Sequence, residues 1–314
     1  VAKELHHHNI IKTIRPLLNY KSLPKENFKE NETLNLKDLK IIPENAPPVY
    51  CVMMEKAANK SLCYLLYQLN KNNMLEINYF KNIHETNDYK WLKYNSESLI
   101  RFFFLQILNG LEFIHRSNFA HMDIKQENIL IARGFSCKIS DFTLINPVPP
   151  EVKNGTLKNS NYQGKKTFKL NIGTIGYVGP EYYTKENIDI SYAYQVDIFA
   201  LGVTLFGLIS GKIPFNKASR SESYKFIMEK NFNMFWDKMN RSNVFPNGIS
   251  RQLKELFQKM VSYNPNERPN IDEILSDPWF TLNTATKEEC TQLYNFFKPY
   301  FEKFLDSEGI YNMT

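Results

Sequence analysis

The sequence is short of the features that most sharply confine a function. Its 314 residues include four cysteines, Cys51, Cys63, Cys137 and Cys290. They are scattered without metal-ligand spacing and read as reduced thiols in a cytosolic protein. No signal-peptide pattern opens the chain. The longest apolar run, Ile198 to Ile209, is well short of the roughly 20 residues that a bilayer requires, so no membrane partner is expected. Charge of one sign is also scarce: 39 basic residues face 33 acidic ones, for a net charge of +6. So mild an excess is what a solvated surface carries, and no nucleic-acid partner is expected from it. What is present is 43% hydrophobic and 14% aromatic content, which argues against a disordered chain. That length and content suffice for one large domain or two lobes with a substantial core.

Chemistry concentrates in His121-Met122-Asp123-Ile124-Lys125-Gln126-Glu127-Asn128, which holds a carboxylate, a cation and an amide. Asp141-Phe142-Thr143 follows. These strings resemble the catalytic loop H-R-D-x-x-x-x-N and the metal-binding loop D-F-G of protein kinases. Met122 stands where Arg is usual and Thr143 where Gly is usual. Phosphoryl transfer works through a loose, charge-dispersed transition state, so catalysis is mostly positioning and charge neutralisation. The resemblance implies that Asp123 faces the incoming hydroxyl and that Lys125 supplies the cation beside the moving group. Asn128 and Asp141 then offer the hard oxygens that Mg²⁺ prefers.

Further strings extend the likeness. Gly173-Thr174-Ile175-Gly176-Tyr177-Val178-Gly179-Pro180-Glu181 resembles G-T-x-x-Y-x-A-P-E, with Gly179 for Ala. Together with Lys125 it follows the serine/threonine pattern, not the tyrosine one. Asp197 to Gly202 begins a helix apolar all round, which reads as buried. It resembles the central helix of the large lobe, and there Asp197 holds the catalytic-loop backbone. Arg268 matches the arginine that pairs with Glu181. Asp277-Pro278-Trp279-Phe280 resembles the H-P-W-F that closes many kinase domains. His-Met-Asp-Ile-Lys is also similar to the Wee-like loop, but the Gly-Thr string is not. The general look is calmodulin-dependent-kinase-like.

Local patterns fill in the rest. Val49 to Met54 is a short apolar run suited to a buried strand. By resemblance, Met54 is the gatekeeper of an adenine pocket, Glu55 and Ala57 offer hinge backbone, Ser61 lies near ribose, and Leu130 forms the apolar floor. Leu62 to Leu69 reads as a helix. Ile100, Phe104, Ile107, Leu111 and Ile114 recur at helical spacing, with Ser96 as cap. Asn270 and Glu273 predict a capping box. Thr286 and Glu289 predict the start of a last helix bearing Leu293, Phe297, Tyr300 and Phe304.

The expected fold is α+β, a bilobal protein-kinase-like fold with a truncated small β lobe and a mainly helical large lobe. Residues 1–57 would be the small-lobe remnant, with a polar insertion at about 19–48. Residues 58–281 would be the large lobe, with insertions at about 70–95 and 147–170, and 282–314 a helical extension. The insertion at 147–170 resembles an enlarged activation loop; a disordered basic loop without regulatory role stays open beside that. Val1 falls inside a helix on this match, and no G-x-G-x-x-G or V-A-I-K string occurs in the chain. The expectation is therefore a missing upstream phosphate clamp, with weak or absent activity for the chain alone. The expected function is a cytoplasmic, monomeric serine/threonine kinase using ATP and Mg²⁺ on protein substrates. The alternative is a pseudokinase that acts as a scaffold or allosteric binder.

Overall fold

The protein is described by a computed structural model covering residues 5–18, 50–54, 61–62, 96–132, 136–153, 156–157, 167–168, 173–184, 188–215, 221–245, 248–282, 284, 286–288 and 291. The expected insertions at 19–48 and 70–95 lie outside these residues. So do all but Leu62 of the helix expected at 62–69, and nearly all of the C-terminal extension.

The first pairing is antiparallel, between β1 (Thr13–Leu18) and β2 (Tyr50–Met54). The strand expected over Val49 to Met54 is thus found. Helix α1 (Ser96–Arg116) follows. Ile100, Phe104, Ile107, Leu111 and Ile114 are buried, and Phe103 and Leu108 widen the stripe. Short antiparallel ladders then pair β3 (Phe119–Ala120) with β6 (Asn146–Pro147), and β4 (Ile129–Ile131) with β5 (Cys137–Ile139). A third pairs β7 (Val152–Lys153) with β8 (Thr156–Leu157), and a fourth β9 (Thr167–Phe168) with β10 (Ile188–Asp189). The stretch expected to be an enlarged loop therefore carries strand pairing at both its ends. Val148 and Val152 are buried, which anchors its first part by apolar packing.

Helix α2 (Glu181–Thr184) precedes the central helix α3 (Ala193–Ser210). This helix begins a turn before the expected Asp197, because Asp189 caps the 3₁₀ turn that feeds it by accepting from Ser191 N. It ends at Gly211, whose φ of 70° is the left-handed conformation that glycine closes a helix with at least cost. Together Ile190–Ser210 is long and apolar enough to cross a membrane by length and composition, contrary to the expected shortfall. Here it lies mostly buried inside the fold, so its apolarity serves the core. Helices α4 (Glu222–Met228), α5 (Phe232–Arg241), α6 (Arg251–Met260) and α7 (Ile271–Leu275) complete the described helical part. A Cβ on Gly202 would come within 2.9 Å of Met260 Cβ, so glycine sets how closely α6 approaches α3.

Polar anchors lock these helices together. Arg268 grips Glu181 through both terminal nitrogens, at 2.6 and 2.7 Å, with both side chains buried. That fork matches a carboxylate in shape and charge. Asn270 and Glu273 form the predicted capping box. Glu97 does more than favour the start of α1. Its carboxylate accepts from the Ser250 amide and hydroxyl and from Trp279 Nε1. Arg101 then stacks on the Trp279 ring at 4.7 Å.

Candidate active site

The site hangs from one hairpin end and one buried carboxylate. Pairing of Ile129 with Ile139 makes the residues beyond that end of the ladder face each other. Ser140 N–H donates to the Asn128 carbonyl at 2.9 Å, and the Ser140 hydroxyl to the same oxygen at 3.0 Å. Asn128 and Asp141 therefore leave the ladder together. From the other side, Asp197 accepts from His121 N at 2.8 Å and from Met122 N at 2.7 Å. His115 Nε2 adds a contact of 2.9 Å to the same carboxylate. These partners account for a charge on an otherwise apolar helix. Met122 has a φ of 69°, unfavourable for an L side chain, and the grip on its amide holds it there.

His121 is fully buried, and burial pushes its pKa down; Asp197 and the Ser140 carbonyl offset only part of that. The neutral ring fits its two bonds. Nε2–H donates to the Ser140 carbonyl at 3.0 Å, while Nδ1 accepts from Asp123 N at 3.3 Å. Phe142 packs beside the ring, with centroids 5.3 Å apart.

Asp123 is 7% exposed and saturated with donors. Thr174 gives its N–H and its hydroxyl to Oδ1 at 3.1 and 2.8 Å. Lys125 Nζ and Asn128 Nδ2 donate to Oδ2 at 2.6 and 3.1 Å. Burial pushes the Asp123 pKa up, but the bonds from Lys125 and Thr174 outweigh it and hold the carboxyl below its ordinary range. The group is an anion at neutral pH. Lys125 also donates to the Thr174 hydroxyl at 2.7 Å, closing a ring of three side chains. Thr174 was absent from the expected site residues, and its only signal was its place in the Gly-Thr string.

Asn128 and Asp141, the expected metal ligands, both carry a hard oxygen and both lie just beyond that end of the ladder. Asn128 spends its amide hydrogens on the Asp123 carbonyl and carboxylate, which leaves its side-chain oxygen to any cation that binds there. Asp141 Oδ1 accepts from Thr143, which leaves Oδ2. Among the described residues no cluster of three or more His, Cys, Asp or Glu side chains forms a dedicated cage. Mg²⁺ suits such a sparse set, since it keeps waters and phosphate oxygens among its ligands. Of the expected nucleotide contacts, Leu130 bridges to Ser61 across an isolated antiparallel pair. Met54 closes β2 opposite Thr13. Glu55 and Ala57 lie outside the described residues.

A buried fork between Glu181 and Arg268, an aspartate gripping the loop backbone and a caged Asp123 together match the arrangement that the kinase-like strings imply. The protein kinase domain family matches residues 1–280, and the chain belongs to that family. It is similar to Aurora kinase of Saccharomyces cerevisiae, at 31% identity over 57% of this chain and 41% of that protein. It is similar also to serine/threonine-protein kinase cds1 of Schizosaccharomyces pombe, at 31% over 59% of this chain and 36% of that protein. CBL-interacting serine/threonine-protein kinase 7 of Arabidopsis thaliana matches at 29% over 61% of this chain and 39% of its own length. The aligned stretches thus span about two fifths of each relative's length.

Proposed function

We propose that the protein transfers the γ-phosphate of ATP to serine or threonine of protein substrates. The observation that carries this is the caged Asp123, an anion held in place by Lys125, Thr174 and Asn128. The serine/threonine preference is supported by the names of the relatives. In this reading an acceptor hydroxyl displaces one donor from Asp123, and the longest bonds, from Thr174 N and Asn128 Nδ2, give way most easily. Asn128 retains its 2.8 Å bond to the Asp123 carbonyl when that happens. Lys125 remains near the transferring group and neutralises charge. Asn128 and Asp141 hold Mg²⁺, which supplies charge neutralisation on the phosphate oxygens. Met54, Glu55, Ala57, Ser61 and Leu130 cradle the nucleoside. The proposal includes a small lobe at 1–57, a large lobe at 58–281, an extension at 282–314, and a cytoplasmic monomer.

The second reading is a pseudokinase. One sequence feature favours it: Thr143 stands in place of Gly, and a side chain there restricts a backbone that glycine leaves free. The deciding experiment offers Mg²⁺-ATP and a serine/threonine peptide pool to the complete protein that contains this chain. Phosphate transfer that Asp123→Asn removes supports the kinase. Binding of Mg²⁺-ATP without transfer to any peptide supports the pseudokinase.

A further inference from the structure

We infer that Thr143 is a positioning residue that aims the Asp141 carboxylate at the metal, an inference that rests on the proposed metal role of Asp141. Asp141 steps off the end of β5 with a φ of 64°, a conformation that an L side chain adopts only when its surroundings hold it. Aspartate is among the residues that tolerate it, because a short polar side chain bonds locally. The direction of its carboxylate then depends on what those local bonds are.

Both come from Thr143. The Thr143 hydroxyl donates to Asp141 Oδ1 at 2.7 Å, and the Thr143 amide donates to the same oxygen at 3.3 Å. No described residue donates to Oδ2. One oxygen is fixed and the other is free for a hard cation. Glycine at 143 would keep only the amide, whose 3.3 Å bond is the longer of the two. Thr143 is not among the residues with positive φ, so its side chain adds no backbone strain. A donor to a carboxylate makes a charge-assisted bond, roughly twice as strong as a neutral one. Drawing some charge off Oδ1 weakens the carboxylate slightly as a ligand. Fixing its direction counts for more, because partners behind a metal ligand typically alter affinity by about 10–100-fold when removed. Thr143 is exposed, so its alteration leaves the core intact.

The test uses the complete protein with Thr143→Val, which keeps the shape and loses the hydroxyl, and Thr143→Ser, which keeps the hydroxyl. Calorimetry measures ATP affinity across a Mg²⁺ series and in its absence. Thr143→Val should raise the Mg²⁺ concentration for half-maximal nucleotide binding by about 10-fold or more, with metal-free ATP affinity unchanged. Thr143→Ser should restore it. An unchanged Mg²⁺ requirement in Thr143→Val, or a Ser variant as weak as the Val one, overturns the inference alone. Asp141→Ala is the control for the underlying reading. If it binds nucleotide with an unaltered Mg²⁺ requirement, the metal site itself is misassigned and the inference falls with it.

Discussion

Met122 and Asp123 are neighbours in the chain with opposite surroundings. Asp123 meets only donors: an ammonium, an amide and both polar groups of Thr174. The Met122 side chain enters a separate apolar cluster with Ala120, Val148, Val152, Ile190, Ala193 and Val196. Leu144, Tyr182, Tyr192 and Tyr194 pack around that cluster. One loop is thus fixed twice, by different physics. Charge-assisted bonds hold its polar side, and their geometry is directional. Burial holds its apolar side, without direction and without charge. Val148 and Val152 belong to the segment that follows Asp141-Phe142. That segment therefore docks on the catalytic loop by side-chain packing where the family's usual arginine would offer a cation.

The largest effect is expected from breaking the polar side. Asp123→Asn preserves the shape but replaces an acceptor by a donor facing Lys125, and it removes the anion. Phosphate transfer by the complete protein should fall by about 10²–10⁴-fold, with little change in nucleotide binding. A transfer rate within a few fold of the original would show that Asp123 is not the acting carboxylate.

Breaking the apolar side tests stability more than chemistry. Met122→Arg places a guanidinium among Val148, Val152 and Val196 with no carboxylate in the cluster to pair with it. A loss of roughly 3 kcal/mol in urea unfolding is expected, as for a buried charge without a partner. Met122→Leu keeps the volume and should cost less than about 1.5 kcal/mol. Equal stability of the two variants would mean that the cluster does not depend on an apolar residue at 122.

The chain's letters showed one side of this comparison far better than the other. Asp123, Asn128, Asp141, Asp197, Glu181 and Arg268 stand in short strings whose residue types the chemistry demands, so their roles are expected before any fold is known. The apolar stripe of α1 and the capping box at Asn270 were legible for the same local reason. The Met122 cluster was not, because Val148, Ile190 and Val196 are unremarkable letters brought together only by the folded chain. Glu97 shows the same limit: it reads as a favourable first-turn acid, and only folding delivers Ser250 and Trp279 to it. Thr143 read only as a departure from the usual glycine, and its hydroxyl bond to Asp141 needed a backbone geometry that no pattern encodes.

Acid should weaken the polar side alone. Burial keeps the pKa of His121 below its ordinary 6.5, and burial with His8 and Lys138 does the same for His7. In the unfolded chain these rings take up a proton near pH 6.5, while the fold disfavours that protonation, most strongly at the fully buried His121. Their contribution is therefore complete above pH 6.5 and is lost as pH falls through the lower folded values. Asp123, held below 3.8, adds a loss of the same sign at more acid pH. The unfolding free energy from urea titrations between pH 7.5 and 5.5 should fall, by up to about 1.4 kcal/mol per pH unit from the fully buried His121. The slope should be the same in Met122→Leu, since no carboxylate or imidazole lies in that cluster. A flat or rising profile would contradict the neutral His121.

The smallest effect is expected from removing phosphate. In kinases with H-R-D, the arginine binds a phosphate on the activation loop and orders it by a charge-assisted pair. A thioether is a weak acceptor without charge, so Met122 cannot take that role. Its 6% exposure places it against Val148 and Val152, which already hold the start of the segment. The work that a phosphate would do by Coulomb attraction is done here by packing, and packing is indifferent to phosphatase. Phosphatase-treated and untreated complete protein should transfer phosphate at the same rate within about two-fold, as should the alanine variants of Thr156, Ser160 and Thr167. Lysines at 153, 158, 165, 166 and 169 offer another cationic partner in the same segment. If they hold a phosphate that matters, activity will drop on treatment and the alanine variants will be as slow before treatment as after it. That outcome would show the two sides of the loop to be joined through charge, and the apolar cluster to be insufficient by itself.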